Sequence, residues 1–144
     1  MTKIAIVYYS TYGHVAKLAN AAKKGIEFVG GVAATIYQVQ ETLPEEVLTK
    51  MHAPPKGDHP IATIDTLKEA DGGGQETTAF TAVTFLAHQG MTYVPLGYRG
   101  KELLNMNEMH GGSPDGSRQP SKVELALAIT QGKSFAEVTK KLAA

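Results

Sequence analysis

Ser10, Thr11, Tyr12, Gly13 and His14 follow one another where an apolar run ends and an amphipathic one begins. At such a junction the free N–H groups of a helix N-terminus point outward, together with the positive end of the helix dipole. The hydroxyls of Ser10, Thr11 and Tyr12 can add donors, and Gly13 lets the backbone approach an anion closely. This set suits a phosphate monoester without help from Lys or Arg. It is neither a Walker loop nor a G-x-G-x-x-G turn. On spacing alone the same residues fit a plainer use equally well: Ser10 and Thr11 capping a helix, Gly13 turning the chain. Other chemistries are narrowed by composition. The chain has no cysteine, which excludes thiolate nucleophiles, iron–sulfur clusters and Cys-based zinc sites. Its histidines (His14, His52, His59, His88 and His110) show no metal-ligand spacing, so no metal is expected.

The elements that must position this loop can be read from periodicity. Lys3 to Ser10 is a β-branched and aromatic run without a turn residue, the pattern of a strand covered on both faces. From His14 to Val29 the apolar residues Val15, Leu18, Ala19, Ala22, Ile26 and Val29 recur at helical steps, and Gly30-Gly31 ends the helix. Ala34 to Val39 is a second strand, which completes a βαβ unit with an expected right-handed crossover. Residues 41–61 are rich in proline and charge, with a short helix over Pro44 to Met51 and a Pro54-Pro55 loop. Further helices are expected over Ile64 to Ala70 and Ala79 to His88, and a third strand over Met91 to Gly97. Tyr98 to Pro120 reads as loop. Ser121 caps a final helix that runs to about Thr130 and resumes over Phe135 to Leu142 beyond Gly132. Two helices in succession around Asp71-Gly72-Gly73-Gly74 break the alternation of a doubly wound sheet. Sheet material is missing there.

At 144 residues the chain is one domain's worth, and residues 1–144 are read as a single domain. Fourteen basic residues balance 14 acidic ones, so no basic field exists to hold nucleic acid. No apolar run reaches membrane-spanning length, and no secretory signal is evident. A cytoplasmic protein is the default expectation, with peripheral membrane association left open.

Taken with other segments, YYSTYGHV resembles the phosphate loop of the WrbA-type NAD(P)H:quinone oxidoreductases, a branch of the flavodoxin-like family. Further matches are ETLPEEVLTKMHAPPK (41–56), GGGQETT (72–78), LAHQG (86–90), VPLGY (94–98), HGGSP (110–114) and DGSRQPSKVELALAITQGK (115–133). They run in family order and cover nearly the whole chain. The resemblance implies an α/β fold, a flavodoxin-like doubly wound parallel sheet with helices on both faces, here lacking some central strands. It implies FMN as cofactor, its phosphate held by Ser10, Thr11, Tyr12, Gly13, His14 and Val15. By the same resemblance Tyr12 lies where the nicotinamide approaches, Gly72 and Gly73 belong to a second flavin loop, and His88 contacts the flavin. Read without the family, His88 is a helix C-terminal residue meeting the last carbonyls, and His110 a loop residue at a rim.

The implied activity is two-electron reduction of quinones by NAD(P)H, through hydride transfer by bound FMN, in a homo-oligomer that is tetrameric in relatives. No side-chain nucleophile is needed for such chemistry. The departures matter as much as the matches. Between Asp71 and Gly72 relatives carry a central strand, a Pro-Thr-Arg flavin loop, an aromatic helix and another strand, none of which has a counterpart here. Two rival functions follow. One is a shortened flavodoxin-like protein with impaired flavin binding, acting as a non-catalytic interaction module. The other is a small electron-carrier flavodoxin, disfavoured because such carriers are strongly acidic and this chain is neutral.

Overall fold

Ile4, Ile6 and Tyr8 share one face of the first strand, β1 (Thr2–Tyr8), and all three are buried. In the second, β2 (Val32–Gln38), Val32, Ile36 and Gln38 are buried in the same way. The structure, a computed structural model, describes residues 1–63 and 115–143 together with positions 65, 90, 92, 94 and 113. Among these residues it shows an α/β protein with a parallel two-stranded sheet. β1 and β2 pair in parallel from Thr2↔Val32 to Tyr8↔Gln38. They are joined through α1 (His14–Glu27), so the expected βαβ unit is present. Ala5 and Val7, on the other face of β1, are half-buried rather than fully covered.

Beyond β2 the chain passes through a short helix, α2 (Glu45–Lys50), and returns to bridge Gln38 at Ile61. The Gln38 amide donates to the carbonyls of Gly57 (2.8 Å) and His59 (2.5 Å), and the Tyr8 hydroxyl meets His59 Nδ1 at 2.9 Å. This fixes residues 57–61 at the carboxyl end of the sheet.

The final helix, α3 (Lys122–Leu142), is continuous through Gly132, where the sequence reading has a break. The reason is tertiary. α3 lies against α1, and at their crossing a Cβ on Gly132 would strike the Ala22 carbonyl while a Cβ on Gly25 would strike that of Ile129. Gly132 makes room for a neighbouring backbone instead of ending a helix. Ser121 does cap α3, in a reciprocal box with Glu124: the hydroxyl accepts from the Glu124 amide and the carboxylate from the Ser121 amide. Ile26 of α1 and Ala136 of α3 join Ile4, Ile6, Tyr8, Val32 and Ile36 in one core.

The remaining expectations fall almost wholly outside the described residues. Of the helix over 64–70 only Asp65 is described, and it is helical; the helix over 79–88 lies outside altogether. Thr92 and Val94, the described residues of the expected third strand, are not in a strand. Among the described residues no helix is long and apolar enough to cross a membrane.

Candidate functional site

β1 stops at Tyr8, and the next five residues carry the chain off the carboxyl end of the sheet into α1. The N-cap is Gly13, in the left-handed region at φ +81°. A Cβ there would meet open space, so the glycine is required by its backbone conformation, not by crowding. No side chain caps α1, and its first turn holds no acidic residue. The plainer use of Ser10 and Thr11 as caps is therefore not what the structure shows. Among the described residues no side-chain cap takes up a first-turn amide, and the turn itself brings no negative charge to the positive end of the dipole.

A pocket of about 280 Å³ opens here, at the lower edge of the ~300–1,000 Å³ usual for small-molecule sites. The loop residues Tyr9, Ser10, Thr11, Tyr12, His14 and Val15 line it, with Ser113, Gly116 and Arg118 from the segment before α3. The expected loop residues thus come together around one cavity, with Gly13 shaping the turn between them. Gly72, Gly73 and His88 lie outside the described residues.

One expected donor is engaged elsewhere. The Tyr12 hydroxyl donates to the Met51 carbonyl at 3.0 Å. The Tyr12 ring lies against Gly116, itself at φ +73°, where a Cβ would strike the ring. Tyr12 is therefore pinned as a wall of the site. The Thr11 hydroxyl lies 3.5 Å from that of Tyr9, a long and weak contact. His14 is buried, and its Nδ1 is 3.2 Å from the Arg118 carbonyl. A carbonyl only accepts, so in this contact Nδ1 is the donor.

Charged groups that the sequence does not single out stand around the loop. Lys56 donates to the Ser10 carbonyl at 2.8 Å, pairs with Glu41 at 2.7 Å and sits 4.4 Å above the centre of the Tyr9 ring. Glu41 is held at about 2 by the Lys56 ammonium, by the amides of Leu43 and Thr42 and by the Tyr9 hydroxyl. Arg118 grips Glu124 with two hydrogen bonds, 2.8 and 3.1 Å long. Burial pushes Glu124 up, but its bonds to Arg118 and the Ser121 amide, with the charges of Arg118 and His14, bring it below its ordinary value. Gln119 donates to the carbonyls of Tyr12 and Gly116, both at 3.2 Å, and its buried Oε1 has no partner among the described residues. Lys56 and Glu41 lie in segment 41–56 and Arg118 in segment 115–133, but no spacing rule ties them to residues 10–15.

No protein-family model matches the chain. Curated proteins do. It is 43% identical to quinone-oxidoreductase QR2 of Triphysaria versicolor, across 98% of this chain and 97% of that protein. The NAD(P)H quinone oxidoreductase PST3 of Candida albicans is 41% identical across 96% of this chain and 98% of its own length. The chain belongs to the NAD(P)H quinone oxidoreductase family. YCP4 of the same yeast, also named an NAD(P)H quinone oxidoreductase, is 42% identical over 97% of this chain and 69% of its own. The alignment to QR2 runs over 198 positions although this chain has 144 residues. Dozens of aligned positions in that quinone oxidoreductase therefore have no counterpart here.

Proposed function

We propose that the protein is an FMN-dependent NAD(P)H:quinone oxidoreductase of the WrbA type, built on a flavodoxin-like doubly wound sheet. The observation that carries this is the α1 N-terminus: left-handed Gly13, no side-chain cap, and a pocket lined by the residues on either side. Such a donor set fits a phosphoryl group. The amides of the first turn would hold it and the dipole would favour its charge. Among the described residues around the loop Lys56 and Arg118 each face a carboxylate, which favours the backbone amides as the anchor. The names of the relatives supply the substrates of this reading, NAD(P)H and a quinone.

When bound, FMN supplies the capacity to accept a hydride from NAD(P)H and return two electrons to a quinone. The chain's own residues do the rest. The loop 10–15 fixes the phosphoryl end, Tyr12 forms a rigid wall held by Met51 and Gly116, and His14 Nε2 offers one more polar contact. The same reading has the chain working in the cytoplasm as a homo-oligomer, a tetramer by resemblance.

A second reading, a non-catalytic flavodoxin-like module, is favoured by one observation: the positions of QR2 that have no counterpart here. Flavin content separates the two. The oxidoreductase reading predicts a yellow protein carrying close to one flavin per chain, which turns over a benzoquinone with NADH or NADPH. A colourless protein that stays inactive after incubation with FMN would leave the module.

A further inference from the structure

The loop 10–15 is held from outside the pocket at two carbonyls. Lys56 Nζ takes the Ser10 carbonyl, and Gln119 Nε2 takes that of Tyr12. Neither Lys56 nor Gln119 lines the pocket. In a planar trans peptide the carbonyl and the following N–H point in opposite directions. Drawing the Ser10 carbonyl toward Lys56 therefore turns the Thr11 amide away from it, and holding the Tyr12 carbonyl does the same for the Gly13 amide.

Lys56 is unusually well fixed for a lysine. Its ammonium meets the Ser10 carbonyl, the Glu41 carboxylate and the face of the Tyr9 ring. Glu41 is in turn fixed by the amides of Thr42 and Leu43 and by both of its contacts with the Tyr9 hydroxyl, at 3.0 and 3.1 Å. An ammonium has three donors, and these partners commit them with the charge already matched. Such a group is a poor counter-ion for a ligand and a good clamp for a carbonyl.

We infer that Lys56 is a positioning residue for the phosphoryl site: it holds the Ser10–Thr11 peptide plane so that the Thr11 amide faces the ligand. Released from Lys56, the Ser10 carbonyl is free to turn its partial negative charge toward the pocket, against a phosphate dianion. Glu41 and Tyr9 serve by holding Lys56. This rests on the phosphate reading of the preceding section and adds the residue that orients the donors.

The test is a set of fluorescence titrations of the full chain with FMN and with riboflavin, which lacks the phosphate, at low and high salt. The wild-type protein is expected to favour FMN. K56M is expected to lose roughly tenfold or more in FMN affinity, the size of one charge-assisted hydrogen bond, while riboflavin affinity stays within about twofold. K56R reaches the same three partners and restores most of the loss. E41Q, which leaves Lys56 in place without its anchor, falls between wild type and K56M. The loss in K56M persists at high salt, because no exposed counter-ion has been removed. Unchanged FMN affinity in K56M overturns the inference, as does a loss that vanishes with salt or one shared equally by riboflavin. Should K56M fail to fold, E41Q and K56R carry the test, and equal FMN affinity in wild type and E41Q overturns it. A wild-type protein that does not distinguish FMN from riboflavin overturns the phosphate reading itself.

Discussion

Gly13 carries the strictest conformational demand at the site. At φ +81° a β-branched residue is a genuine outlier, with a strain of about 1–3 kcal/mol. Because a Cβ would find open space, G13V must answer to backbone strain alone. The expected result is a folded protein whose loop has relaxed and whose FMN affinity has dropped by tenfold or more, read by flavin fluorescence. Glu41 gives a second prediction at this scale. Its ordinary value of 4.5 is lowered to about 2 by Lys56 first, then by the amide of Leu43. A depressed carboxylate contributes stability that is fully present above its unfolded value and is lost as pH falls through its folded one. The Lys56–Glu41 clamp is therefore complete above about 4.5 and fails toward 2. Acid titration should show wild-type stability falling across that window, with E41Q flatter there and weaker above it. Parallel curves for the two proteins would contradict the assignment.

At the scale of elements, the α1–α3 crossing decides how α1 is aimed at the pocket. Gly→Ala in a helix interior gains about 1 kcal/mol in helix propensity, and at Gly132 that gain is opposed by collision with the Ala22 carbonyl. A collision with backbone cannot be relieved by rotating a side chain, so overpacking of about 1–3 kcal/mol should win. G132A is expected to be less stable than wild type by urea denaturation, and a more stable G132A would contradict the crossing. S121A removes one half of the capping box and should lower stability by about 0.5–2 kcal/mol with no effect on FMN affinity, because α3 offers the pocket no donor from that end. The two variants separate loss of a helix end from loss of a helix contact.

At the scale of the whole molecule, what was legible in the sequence was what local pattern controls. The apolar run into Ser10 and the amphipathic repeat after His14 became the elements expected, within about two residues of their ends, and Ser121 caps a helix as expected, though one without the break at Gly132. The loop 10–15 gathered around one pocket for the same reason, since its residues are adjacent in the chain. What escaped was created by folding. Lys56 reaches Ser10 across 46 residues and Gln119 reaches Tyr12 across 107, distances no spacing rule spans. Gly132 looked like a break because its partner, the Ala22 carbonyl, belongs to another helix. The Tyr12 hydroxyl looked like a phosphate donor because the Met51 carbonyl that takes it is 39 residues away. Net charge acts at this scale too. With 14 basic and 14 acidic residues the net charge gives no long-range field to draw an anion in, so the proposed affinity for a phosphoryl group is expected from short-range amides. It should change little with ionic strength.

One calorimetric comparison tests the phosphoryl site most directly: purified protein, stripped of any bound flavin, titrated with FMN and then with riboflavin. A phosphoryl site at the α1 N-terminus predicts saturable binding of one FMN per chain, with riboflavin weaker by at least tenfold. Equal affinity for the two flavins, or no heat with FMN, would contradict it.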